Sequence, residues 1–225
     1  MKNTFSPVTK NLQKHRIFTG FGFLLILFTL FACQSDKRNF KGITDRQVLP
    51  LLKHLPYRYG GMNIPAKDGR FLYDLILEHH YKRGLEIGTS NGYSTLWLGL
   101  AFKQTGGKVI TIEINVNRGR EAEGNFKKAG LDKVIDSRIN DALVEIPQLK
   151  GDFDFVFIDA WEPDYIKYFN MLKDRILPGG VITAHNVIGY SDSVQDFLIA
   201  IKSDKNFDTS VYRSSREGIS VSYRK

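Results

Sequence analysis

The sequence predicts an α/β fold: a mostly parallel sheet with helices on both faces, finished by an antiparallel hairpin. Three observations predict it. From Thr44 onward short apolar strands alternate with amphipathic helices. Glycine and proline turns mark the joints between these units. The final segments, FDTSVYR and GISVSYR, are two strands parted only by SSRE, which is a hairpin signal.

Residues 44–47 (TDRQ) read as a capping box ahead of a helix whose apolar stripe is Val48, Leu51, Leu52 and Leu55, with Pro50 early enough to be tolerated. A second helix is expected from near Asp68, with Phe71, Leu72, Leu75 and Ile76 on one face. Together these form a helical N-terminal cap. A short strand over 84–87 leads into a helix over 91–103, closed by Gly106-Gly107. KVITIEI (108–114) is a strand, 118–129 a helix stopped by Gly130, and 134–139 a strand followed by a helix from near Asp141. FDFVFID (153–159) is a buried strand. Residues 163–176 carry Tyr165, Tyr168, Phe169, Leu172 and Ile176 at helical spacing. Pro178-Gly179-Gly180 turns into a strand over 181–184, and 191–202 is the last helix.

The 225 residues suit one domain, and 42% apolar content can build a core. The net charge of +8 is uneven: residues 1–33 hold four basic residues and no acid, leaving 28 basic against 24 acidic. That mild excess, with no clustered basic face, predicts no nucleic-acid partner. Residues 17–32 are free of charge, follow a basic segment, and end at Ala32-Cys33, the single cysteine. This reads as a signal peptide of lipoprotein type (1–33), lipid-anchored at Cys33, or else as an uncleaved membrane anchor. Residues 34–43 then form a polar tether and 44–225 the domain. The expected location is at a membrane, on a side the sequence does not specify.

In an open α/β sheet ligands bind beyond the carboxyl ends of the strands. The first strand ends in Glu86 and runs into Gly88-Thr89-Ser90-Asn91-Gly92, a glycine-bracketed turn opening a helix that includes Ser94. Neither the dinucleotide fingerprint nor a P-loop is present. Helix N–H groups there suit a carboxylate, and Glu86 suits an ammonium, so an amino acid is expected. The second strand ends in Glu113, 25 residues beyond Gly88, placed for ribose hydroxyls. Asn140-Asp141-Ala142 follows the third strand, where an adenine edge would be read. An amino acid, a ribose and an adenine together describe S-adenosylmethionine.

The motifs LEIGTSNGYS, VITIEIN, NDALVEIP, FDFVFIDAWEPDY and PGGVITAHNV resemble those of class I S-adenosylmethionine-dependent methyltransferases, in the catechol and caffeoyl-CoA O-methyltransferase-like group. The resemblance covers roughly residues 60–225. It implies a Rossmann-like, doubly wound, seven-stranded sheet with a reversed last hairpin. It also implies that Glu86, Gly88, Ser94, Glu113 and Ala142 line the cofactor, with Asp159 at the fourth strand end. A small-molecule acceptor is implied, and a homodimer is compatible with it. Divalent-metal members place an acid at the position of Asp159 and an Asp-Asn pair where this chain has His185-Asn186. Their lysine base is Glu162 here, while Trp161 fits the catechol-type pattern.

The expected chemistry is methyl transfer to a hydroxyl of a small, aromatic acceptor. A phenol of pKa ~10 needs a base or a metal to lose its proton. His185 and Asp159 are the expected catalytic residues. His185 serves either as base or, with Asp159 and Asn186, as part of an N/O metal site. Trp161 packs on the cofactor or fills core. The alternative is a membrane-tethered, catalytically reduced relative that binds the cofactor or a nucleoside. A nicotinamide oxidoreductase is disfavoured by the missing fingerprint. An amino-methylating nucleic-acid enzyme is disfavoured because FIDAWEPDY lacks the Asn/Asp-Pro-Pro-aromatic run.

Overall fold

The computed structural model describes residues 38–57, 63–189, 192–213 and 215–225. The chain divides into units 1–38 and 39–225, and the sheet with its helices belongs to the second. The expected leader lies outside the described residues. The tether needs correcting. Phe40 and Ile43 are buried, and Phe40 stacks on Trp97 with ring centroids 5.5 Å apart. Two apolar residues three apart are too short a pattern to read as structure, yet they seat the chain on the core before Thr44.

Helix α1 (Val48–His54) is not started by the expected box. Asp45 Oδ1 accepts from the backbone N–H of Gln47 and Val48 at 2.9 and 3.1 Å, so the cap is Asp45. Helix α2 (Ala66–His79) begins behind Pro65, two residues before the expected start, and places Asp68 in its first turn. Strand β1 (Arg83–Ile87) feeds α3 (Tyr93–Thr105), which is buried along nearly its whole length. Strand β2 (Lys108–Glu113) feeds α4 (Val116–Lys128), capped by Asn115, whose Oδ1 accepts from Asn117 and Arg118 N–H. Then come β3 (Ile135–Ile139), the single turn α5 (Ala142–Glu145) and β4 (Phe153–Ile158).

The helix expected over 163–176 is shorter. Helix α6 (Tyr165–Leu172) lies between tighter 3-10 turns at Glu162–Asp164 and Lys173–Arg175. Pro163 suits such a turn at the front. Strand β5 (Ile176–Ala184) is longer than expected: Pro178-Gly179-Gly180 sits inside it as an irregularity where its register with β4 shifts. Helix α7 (Gln195–Ser203) leads to the hairpin β6 (Phe207–Tyr212) and β7 (Ile219–Arg224).

The seven strands run β3-β2-β1-β4-β5-β7-β6, with β7 antiparallel to both neighbours and strands β1 to β5 pairing in parallel. Alternation along β4 shows why both faces are covered. Phe155 and Phe157 join a core with α1, α2 and α3, while Val156 and Ile158 join another with α6 and α7. Each such buried side chain contributes about 1.5–3 kcal/mol of transfer free energy. The chain moves outward from β1 to β3, then returns to β4 on the other side of β1. The crevice at that reversal lies above the carboxyl ends of β1 and β4.

Candidate active site

A cavity of about 1030 Å³ opens there. Sheet hydrogen bonds continue past the strand ends and fix its floor. Gly88 N–H donates to Ile112 O, Asp159 N–H to Ile87 O and His185 N–H to Ile158 O, at 3.0, 2.9 and 2.9 Å. A second hollow of about 390 Å³ lies near Gly151 at the entry to β4, away from these residues.

Gly88 has φ +101°, and a methyl group built on it would overlap the Asp159 carbonyl oxygen. Glycine is therefore needed twice over, for its backbone angle and for the close approach of two strand ends. Ser90 also has a left-handed backbone, φ +50°, and its N–H donates to Glu113 Oε2 at 2.7 Å. Glu113 Oε1 accepts from Asn115 N–H at 2.9 Å. The carboxylate is thus clamped by two backbone donors at the cavity wall, with lone pairs remaining for a ligand's hydroxyl groups.

Glu86 is corrected. It has 0% exposure and does not line the cavity, and neither do Thr89 and Gly92. Its Oε2 accepts from Thr95 Oγ1 at 2.5 Å and Thr111 Oγ1 at 2.6 Å, with Thr89 Oγ1 in turn 2.5 Å from Thr111 Oγ1. Ser94, close enough to Glu86 to lower its pKa, does line the cavity. Burial pushes the Glu86 carboxyl up to about 7, against the hydroxyls of Ser94, Thr111 and Thr95, which lower it; the charge of Asp159 adds to the rise.

With its pKa raised in this way, Glu86 holds its proton more tightly in the folded state than in the unfolded chain. Stability is therefore greatest below the ordinary carboxyl range and declines as pH climbs toward 7. The rise from 4.5 to about 7 corresponds to about 3 kcal/mol. Glu86→Gln should flatten that decline: its melting temperature should change less than wild type's between pH 5 and 8. Parallel melting curves would refute the assignment.

The third strand end is a capped turn. Asp141 Oδ1 accepts from Leu143 N–H at 2.8 Å, and Asn140 Nδ2 donates to Glu145 Oε2 at 2.9 Å. Asp141 and Ala142 both line the cavity. Trp161 is 67% exposed at the rim and so does not fill core, and Ile114, 69% exposed, flanks the same opening. Ile114 is an addition to the expected residues. Its signal is a large apolar residue directly after the acid that ends β2.

The far wall carries His185, 4% exposed. Its Nε2 lies 3.1 Å from Asp68 Oδ2 and its Nδ1 3.4 Å from Asp159 Oδ1. Burial alone would lower the imidazole pKa. The charge of Asp159 and hydrogen bonds to Asp159 and Asp68 outweigh it and push the group up to about 10. Asn186, with φ +63°, donates its Nδ2 to Glu162 Oε1 at 2.9 Å.

This arrangement corrects both expected roles of His185. An imidazole already protonated at both nitrogens is no base at neutral pH. It also has no lone pair for a metal, because each nitrogen faces a carboxylate oxygen that can only accept. Asn186 turns its amide nitrogen to Glu162, and among the described residues no group of three His, Cys, Asp or Glu side chains is arranged to hold a metal ion. Asp159, His185 and Asn186 therefore do not fit a metal in this geometry. They form instead a buried cation held by carboxylates.

A family profile described as O-methyltransferase matches residues 43–203. A catechol O-methyltransferase of Niastella koreensis is 36% identical over 131 residues, 56% of this chain and 59% of that protein. A caffeoyl-CoA O-methyltransferase of Medicago sativa is 34% identical over 133 residues, 56% of this chain and 53% of that one. The chain thus spans little more than half the length of these curated relatives. Among solved structures, an O-methyltransferase from Bacillus cereus in complex with SAH superposes with TM-score 0.72 at 24% identity, covering 85% of this chain and 97% of the other. The O-methyltransferase TomG of Streptomyces achromogenes, in complex with SAM, gives TM-score 0.74 at 22% identity, covering 85% and 96%. At such identities these structures establish a shared fold.

Proposed function

Since the chain belongs to the O-methyltransferase family, we propose that it transfers a methyl group from S-adenosylmethionine to a hydroxyl of a small aromatic acceptor. The observation that carries this reading is one cavity at the sheet reversal, walled by the Gly88 turn and Glu113 on one side and by Asp159 and His185 on the other. The names of the relatives support an aromatic hydroxyl as the acceptor.

The residues fit the cofactor. Gly88 lines the cavity with no side chain of its own, so a ligand could lie directly against the backbone there. Glu113 would accept from ribose hydroxyls, Asp141 and Ala142 would border the adenine end, and Ile114 and Trp161 would offer apolar surface beside it; all five line the cavity. Ser94 would meet the amino-acid end from its place on the cavity wall. Bound there, S-adenosylmethionine supplies a methyl group on a cationic sulfur that departs as a neutral thioether.

His185 then places a fixed positive charge beside the acceptor oxygen and favours its anionic form. Asp159, whose side chain is 18% exposed at the cavity wall, takes the proton and passes it to solvent. A carboxylate suffices because the oxygen grows sharply more acidic as its bond to carbon forms. The side chains around the cavity exclude bulk water and hold the acceptor in line.

Calorimetry tests the reading. The protein should bind SAH at micromolar level and NADH not at all. Glu113→Ala should weaken SAH binding about 10- to 100-fold, the worth of hydrogen bonds to a charged group. Equal binding of NADH, or unchanged affinity in the variant, would remove the cofactor assignment. The proposal includes membrane attachment through residues 1–33, supported by the charge-free run 17–32 and Cys33. Intact-mass analysis of membrane-extracted protein decides it, since an unmodified Cys33 in a full-length chain is incompatible with lipidation there.

A further inference from the structure

We propose that Asp68, in the helical cap, is the positioning residue for His185. The inference rests on the methyl-transfer reading above and adds a residue to it. Asp68 lies in the first turn of α2, 117 positions from His185 in sequence, with 0% exposure and no part in the cavity lining. It cannot touch an acceptor, so any effect on the reaction passes through the imidazole.

The two ends of the ring differ. At Nε2 the contact with Asp68 Oδ2 is 3.1 Å, between side chains 5% and 0% exposed. At Nδ1 the contact with Asp159 Oδ1 is longer, 3.4 Å, and Asp159 is open to the cavity. The shorter, fully buried contact anchors the ring, and the longer one, at the cavity wall, faces the chemistry. A carboxylate accepts only, so Asp68 holds a proton on Nε2 and thereby decides where Nδ1 points. The other aromatic neighbour, Phe157, meets the ring edge-on at a centroid distance of 6.5 Å and supplies no polar restraint. Pro65 and Ala66, three and two positions before Asp68, lie on the cavity wall. The placement of the cap and the orientation of the catalytic ring are therefore one polar and steric unit.

An acid in the first turn of a helix is also favourable to the helix itself, and the experiment separates that role from positioning. Asp68→Asn, Asp68→Ala, His185→Ala and the double variant Asp68→Asn/His185→Ala are made in the full chain. Each is assayed with S-adenosylmethionine and catechol, by calorimetry with SAH, and by NMR of the ring N–H protons. Positioning predicts that Asp68→Asn lowers kcat at least tenfold while SAH affinity stays within threefold. It predicts no further loss when Asp68→Asn is added to His185→Ala. The solvent-protected ring N–H resonance that His185→Ala removes should also be lost in Asp68→Ala. The proposal is overturned if kcat in both single Asp68 variants stays within threefold of wild type, even with a lower melting temperature. Full additivity in the double variant, or an unaltered resonance in Asp68→Ala, overturns it equally. Wild type that does not bind SAH sinks the methyl-transfer reading, a separate result. The resonance needs no acceptor, so it decides the contact even where catechol is not methylated.

Discussion

Replacing His185 with alanine is expected to lower methyl transfer about 100-fold or more while leaving SAH affinity within a few-fold of wild type. The magnitude is that of removing one group that stabilises developing charge on an oxygen. The selectivity follows from position, because His185 stands at the Asp159 wall, across the cavity from Glu113. Stability should fall as well. Without the ring, Asp68 and Asp159 are left as acids that have lost their shared cation, and breaking a buried pair this way typically costs about 3–5 kcal/mol. His185→Gln keeps most of the volume and one donating end but no charge, and tells lost charge from lost packing.

The pH dependence carries its own sign. The folded pKa of His185, about 10, lies above the ordinary 6.5. Its contribution to stability is therefore complete below about 6.5 and disappears as pH rises through about 10. Activity should likewise fall as pH passes 10, with no rising limb near 6.5 owed to this residue. A rising limb near 6.5 that vanishes in His185→Gln would restore the histidine as general base and refute the fixed cation.

The second large effect belongs to Gly88→Ala, which should reduce SAH binding below detection and lower the melting temperature. A non-glycine residue at φ +101° is strained by about 1–2 kcal/mol. The added methyl would also overlap the Asp159 carbonyl, and forcing main chains apart costs about 1–3 kcal/mol more. The strand ends of β1 and β4 would have to separate, carrying Asp159 away from His185. Activity should fall along with binding. The control is Gly124→Ala, half-buried on α4, where an added Cβ meets nothing within 4 Å. If Gly88→Ala binds SAH like wild type, the turn is packing and not a cofactor cradle.

Legibility in the chain differs by scale. Each parallel strand is readable because burial on both faces writes a short, nearly continuous apolar run, as in FDFVFI. Element ends are less so. The cap at Asp45 and the early start of α2 behind Pro65 depend on which carboxylate and which backbone angle win locally. The bulge within β5 reads as a turn because Pro-Gly-Gly has the same composition in either setting. Among site residues, Gly88, Ser90, Ser94, Glu113, Asp141, Ala142, Asp159, Trp161, His185 and Asn186 line the one cavity. Glu86, Thr89 and Gly92 come from the same motif but lie behind the wall, since successive strand and turn residues point to different sides.

Local pattern thus established the alternating architecture, the reversed hairpin and the strand ends at which ligands gather, because periodicity and turn chemistry act between near neighbours. Folding at long range assigned the roles. It set Glu86 beneath Ser94 as a buried acid, drew Phe40 and Ile43 into the core, and brought Asp68 across 117 positions to His185. A histidine's charge and donor pattern depend on the groups that surround it in space, and no spacing along the chain encodes a carboxylate arriving from a distant helix.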